Sequence, residues 1–219
     1  MSASMTPLPG TQTPGSIALP SPAECLALFD QFEMFDNIRR HSILVARVGG
    51  ALADGLQRTG KCSLPLPNRD ETIAAALLHD IAKTLCIKTG CHHAEIGRQI
   101  CVELGYPEIG EIVAEHVVLR HFHAEHYRHG LFTAKELVFY ADKRVRHDEV
   151  VPLASRLEYI LQRYGDGNPL KEKHIRLNFG RTLDLEEFLF SYLDFPPNEV
   201  TLYFPENLSF ASDDRQETL

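Results

Sequence analysis

The chain has 219 residues, 44% of them hydrophobic and 24% charged, which suits one domain with a substantial core and the composition of an ordinary soluble protein. Its net charge of −8 argues against a nucleic-acid polymer as the main partner, because phosphate backbones call for basic surface; a small phosphorylated ligand stays open, since bound metal inverts the local charge. No apolar run is long enough to span a membrane, and the N-terminus lacks the basic region and apolar block of a signal peptide, so the expectation is a cytoplasmic protein without a membrane partner. The 5 Cys are odd in number and irregularly spaced, as expected of reduced thiols, whereas the 11 His are numerous and clustered.

Residues 1–20, rich in Pro, Ser, Thr and Gly, read as a disordered leader. Ser21-Pro22-Ala23-Glu24 combines an N-cap, a Pro at the first helical position and a capping-box Glu, so the first helix starts there. A second is expected from Asp36 to about Gln57, with Ile38, Val45, Val48, Leu52 and Leu56 on its apolar face. Residues 59–69 form a loop, and a third helix runs from about Asp70 to Thr84. A fourth spans about His92 to Leu104 and stops at Gly105; Pro107 opens a fifth, to about Arg120. Residues 121–132 (HFHAEHYRHGLF) read as a loop, and the capping box Thr133-x-x-Glu136 starts a sixth helix through Val145. A seventh is expected over about 148–164, and Asn168-Pro169 begins a last one to about Leu193, with a break near Gly180. Residues 199–204 (EVTLYF) allow a short extended segment, and 205–219 read as a loose tail. The fold class is all-α: one helical domain over 21–204, with its core at 36–165 and a helical extension over 166–204.

Polar residues inside apolar stripes need a reason to be there. His41 lies between Ile38 and Val45 on one face. Asp80 follows Leu77 by three and Ile73 by seven, with His79 about 100° round the helix. His93 shares a face with Ile96, Gly97 and Ile100, whereas His92 falls with Glu95 and Gln99 on a solvated face. His116 continues the stripe of Ile109, Ile112 and Val113, and Asp142 that of Val138 and Val145. Taken singly, each His fits a core histidine bonded to a backbone carbonyl. Together, inward-facing carboxylates and imidazoles call for a divalent metal, because an unpaired buried carboxylate costs several kcal/mol or must neutralise.

His41, then His79-Asp80, then Asp142, each on its own helix, resembles the H…HD…D signature of HD-domain metal-dependent phosphohydrolases over about residues 36–165. LLHDIAK (77–83) and YADKR (140–144) look like that family's second and last motifs, and HAEIG (93–97) sits where two-metal members have a similar run. The resemblance implies an HD-type helical bundle. It implies His41, His79, Asp80 and Asp142 around a first metal, and Asp80 shared with a second held by His93, His116 and His121. It further implies one or two divalent ions (Fe, Mn, Ni, Zn, Co or Mg), and water-driven cleavage of a phosphoester or phosphoanhydride in a nucleotide or similar small substrate. Asp80 and Lys83 are then the candidate catalytic residues, and Lys83, Arg120 and Arg144 the candidate phosphate contacts. The alternative is a non-catalytic HD module that binds a nucleotide or a partner protein as a sensor. Gly105-Tyr106-Pro107 reads as a helix stop and restart.

Overall fold

The computed structural model describes residues 19–208. The leader, apart from its last two residues, and the tail beyond Leu208 lie outside them. Helix α1 (Pro22–Gln31) opens on Ser21 with both halves of the capping box made. Helix α2 (Asp36–Thr59) is the spine of the molecule, buried along most of its length and closed by Gly60 in the left-handed conformation. Helices α3 (Arg69–Leu78) and α8 (Ala134–Arg144) pack against it. Leu52, Leu56, Ile73, Leu77, Leu78, Phe139 and Tyr140 form the dry centre between them. The architecture is all-α, as the periodicity requires.

The third expected helix ends early. After Leu78 the backbone switches to i→i−3 bonds, from Ile81 N–H to Leu78 O and from Lys83 N–H to Asp80 O, before a separate α4 (Lys83–Thr89) begins. The cause is visible in His79, whose Nδ1–H donates to Ala76 O at 2.7 Å, the carbonyl that the Asp80 amide would take in a continuing helix. Helix α6 (Pro107–Glu115) stops short of Arg120 for the same reason: His116 Nδ1–H donates to Val113 O at 2.6 Å. Lys143 Nζ then takes His116 O at 2.8 Å, and the Arg120 amide turns to Glu115 Oε2 instead. Two helices thus end where a histidine competes with the backbone.

Helix α5 (His93–Glu103) lies close against α6 because Gly97 and Gly110 face the contact. A Cβ on Gly97 would sit 2.9 Å from Val113 Cγ1, and one on Gly110 would sit 2.9 Å from Arg98 O. The segment expected as a plain loop contains a five-residue helix α7 (Ala124–Arg128). After α8 the chain makes an unexpected hairpin, β1 (Val145–Arg146) against β2 (Glu149–Val150), too short to show alternation. The seventh expected helix therefore begins later, as α9 (Leu153–Tyr164). Helix α10 (Pro169–Tyr192) runs unbroken through Gly180 and packs on α9.

Of the segment 199–204 only Phe204 is extended: Pro197–Tyr203 forms a 3-10 helix with Val200 buried. Glu206–Leu208 makes another, and Leu208 is buried against Gly50 of α2, so this part of the expected tail is packed. Reduced thiols were expected throughout, but Cys86 and Cys91 form a disulfide. Helix α4 ends in left-handed Gly90, and this turn brings the two Cα atoms to 4.6 Å. Cys25, Cys62 and Cys101 are free, and burial pushes the Cys25 and Cys101 thiols up to about 12. Among the described residues no helix is long and apolar enough to cross a membrane.

Candidate metal centre

Helices α2, α3, α5, α6 and α8 bring His41, His79, Asp80, His93, His116 and Asp142 to one place. Asp80 sits at the middle and is 1% exposed. Its Oδ2 faces His79 Nε2 at 3.3 Å and His41 Nε2 at 3.9 Å; its Oδ1 faces His93 Nε2 at 3.4 Å and His116 Nε2 at 3.6 Å. The result is two compact trios, His41–His79–Asp80 and Asp80–His93–His116, that share one carboxylate. Asp142 joins the first, with Oδ1 3.0 Å from His41 Nε2 and 3.7 Å from His79 Nε2.

The ring orientations show what this arrangement lacks. A carbonyl can only accept, so the Nδ1 atoms of His79 and His116 carry protons toward Ala76 O and Val113 O. His41 Nδ1–H likewise donates, at 3.2 Å, to His147 O in the turn of the hairpin, where His147 takes a φ of 58°. Each of these rings, when neutral, turns a bare Nε2 lone pair toward carboxylate oxygen. His79 Nε2 and Asp80 Oδ1 are buried with no hydrogen-bond partner. Acceptors facing acceptors in a dry site require a cation between them, and three imidazoles fixed through Nδ1 are the usual preparation for metal ligation.

Protons do not meet that need uniformly. Burial pushes the His41 and His116 rings below their ordinary range and takes His93 down to about 4, so these rings stay neutral near pH 7. His79 moves the other way: burial opposes its charge, but Asp80, Asp142 and the Ala76 carbonyl together outweigh burial. Burial also opposes the charge on Asp80, yet Lys83 and His79 hold its carboxyl well below the usual range. For Asp142 burial is again outweighed, here by Lys143 and His41. Neutral imidazole at His41, His93 and His116 and ionised carboxylate at Asp80 and Asp142 fit divalent first-row ions, and His79 gives up a proton when it ligates one.

Other sequence candidates lie elsewhere. His121 is exposed, stacks on His123 at 6.1 Å and lines a separate depression with Glu71 and Glu108; the turn after His116 carries it away from the trios. Arg120 is exposed and does not line the pocket at the centre. Arg144 is buried and committed to structural partners: its guanidinium donates to Val151 O, Tyr140 Oη, Glu186 and Pro197 O, and so fastens the C-terminal segment to α8. Lys83 does reach the centre, with Nζ 2.6 Å from Asp80 Oδ2.

Two residues were missed. Lys143, next to Asp142 in YADKR, places Nζ 2.7 Å from Asp142 Oδ2 and stays buried. Arg156 from α9 lies 3.9 Å from Asp142 Oδ1 and lines the pocket. Lys143 was legible as the immediate neighbour of a proposed ligand. Arg156 had no signal, because it depends on how α9 packs. The pocket beside the centre has a volume of about 460 Å³ and is walled on its far side by α9 and α10.

Helical architecture and an H…HD…D cluster together define one class of protein. Residues 38–158, more than half the chain, match the family model of the HD domain, and the chain belongs to the HD-domain family. That family consists mostly of metal-dependent hydrolases and suggests the phosphohydrolase superfamily. No curated protein and no solved structure matches the chain.

Proposed function

We propose that this protein is a metal-dependent phosphohydrolase, cleaving a phosphoester or phosphoanhydride bond of a nucleotide or similar small phosphorylated molecule. The observation that carries the reading is the shared Asp80, one carboxylate oxygen turned to each trio, with Nε2 lone pairs converging on both. His41, His79, Asp80 and Asp142 would hold one divalent ion, and Asp80, His93 and His116 a second. Bound there, Fe, Mn, Ni, Zn, Co or Mg would supply Lewis acidity, neutralising phosphoryl oxygens and acidifying a water near neutral pH.

The chain's own residues prepare this chemistry. Backbone carbonyls of Ala76, Val113 and His147 fix three rings, so the ligands need no reorganisation. Lys83 and Lys143 keep Asp80 and Asp142 ionised, and Lys83 has further N–H groups to offer a phosphate oxygen at the pocket edge. In the hydrolysis a water oxygen bonds to phosphorus and the ester P–O bond breaks. The leaving oxygen departs with a proton. No Ser or Cys nucleophile is required.

The test is a panel of nucleotides and simple phosphate esters assayed with Mn, Fe, Co, Ni, Zn and Mg. Turnover that vanishes in Asp80→Ala is the expected result. Absence of hydrolysis with every ion, from protein that also carries no transition metal, overturns the proposal. A nucleotide that raises Tm yet is recovered intact in every metal favours the sensor alternative.

A further inference from the structure

The pocket beside the metal centre has an uneven lining. Its cationic side chains are Lys83, Lys143 and Arg156, and its one carboxylate is Asp142. Lys83 is hydrogen-bonded to Asp80, and Lys143 donates to both Asp142 Oδ2 and His116 O. Arg156 differs. It is 9% exposed, its side chain makes no hydrogen bond among the described residues, and its Nε is buried without a partner. Its contacts are the 3.9 Å approach to Asp142 and the ring of Tyr159 at 5.5 Å. A buried guanidinium with unused donors is expensive unless something accepts from it, and its planar fork matches phosphate oxygens.

Beyond these cations the wall turns apolar. Ile87, Val117, Val118 and Tyr164 line the pocket, and all four are among the large hydrophobic side chains that the protein leaves exposed. Ile160 of α9 and Ile175 of α10 continue the surface inward. Helix α10 lies outside the matched domain, and it is clipped in place by Asn178 Nδ2 donating to Val117 O at 2.9 Å and Arg181 Nη1 donating to Leu119 O at 3.2 Å. Apolar side chains gathered at one concave mouth signal a ligand with an apolar surface to bury. Lys143 is spent on Asp142 Oδ2 and His116 O, and Lys83 gives one N–H to Asp80 and keeps the others, so Arg156 is the lining cation with every side-chain donor unused. That suits one phosphoryl group better than a polyphosphate.

Building on the proposed hydrolase activity, we infer that the substrate is a phosphomonoester on an uncharged, largely apolar or aromatic body. Arg156 anchors the phosphoryl group, and the apolar lining from α4, the turn after α6, α9 and α10 selects the body. The probes are phosphonates, which bind without reacting: phenylphosphonate, methylphosphonate and methylenediphosphonate, titrated calorimetrically into Mn-loaded full-length protein. Phenylphosphonate is expected to bind at least 30-fold tighter than methylphosphonate and tighter than methylenediphosphonate. Arg156→Met should weaken both monophosphonates by at least tenfold and leave their ratio unchanged, with Arg156→Lys restoring part of the loss. The double variant Ile87→Asn/Val118→Asn alters exposed side chains, so it should fold; it should collapse the ratio toward one while sparing methylphosphonate. Equal affinities in the wild type, or a preference for the diphosphonate, overturns the inference. If phenylphosphonate binds as expected but no ester is hydrolysed with any metal, the hydrolase proposal fails and the pocket assignment stands. If esters are hydrolysed but the ratio lies near one, the hydrolase proposal stands and the pocket assignment fails.

Discussion

Two parts of this chain are rich in histidine, and they behave differently. At the centre, His41, His79 and His116 each spend Nδ1 on a backbone carbonyl and turn Nε2 toward a buried carboxylate. In the segment 121–129, His121, His123, His126 and His129 are exposed, and the first three stack on one another. Composition does not separate the two groups. What separates them is a fixed ring, a bare lone pair and a buried carboxylate oxygen, Asp80 Oδ1, without a hydrogen-bond partner. A histidine becomes a candidate ligand through the bond it makes on its far side.

The strongest way to break this contrast is to remove the carboxylate that joins the trios. Asp80→Ala should lower the proposed phosphohydrolase activity by about a thousandfold or more, since both proposed ion positions lose a ligand; kcat measured with saturating metal checks it. Chelation comes next. If the ions bind only the folded chain, dialysis against EDTA from metal at about 100 times Kd should remove about 2.7 kcal/mol of stability, read as a lower Tm that returns when metal is restored. Arg144→Ala should cost about 3 kcal/mol by stranding the Val151 and Pro197 carbonyls and removing the cation beside Glu186, yet leave the metal content per folded chain unchanged. The smallest effect belongs to the outer group: replacing His121, His123, His126 and His129 together by Ala should shift stability by under about 1 kcal/mol and spare activity.

Much of this was legible because helix signals are local. The capping boxes at Ser21/Glu24 and Thr133/Glu136 both form, and phase alone separated His93, facing Asp80, from exposed His92. The reading of His41 and His116 as core histidines bonded to a carbonyl describes one side of each ring, and the ligand reading describes the other. The failures share a cause. Helical phase was carried past His116 to Arg120, although His116 itself removes the carbonyl that would extend the helix, and His121, read in a loop, came only with the family resemblance. Arg144 and Lys143 both lie within a turn of Asp142, and only the packing of residues 151 and 197 decides that Arg144 is structural. Arg156 and the Cys86–Cys91 bond depend on how separate helices and a left-handed turn meet, which periodicity does not encode.

The account rests on Asp80 serving two ion positions at once. The direct measurement is metal stoichiometry by calorimetric titration of Mn into metal-free wild type, a His93→Ala/His116→Ala variant and Asp80→Ala. Two ions per chain, one, and no tight ion respectively are the predicted results. Undiminished binding in Asp80→Ala, or loss of metal only when the histidines of 121–129 are replaced, would contradict it.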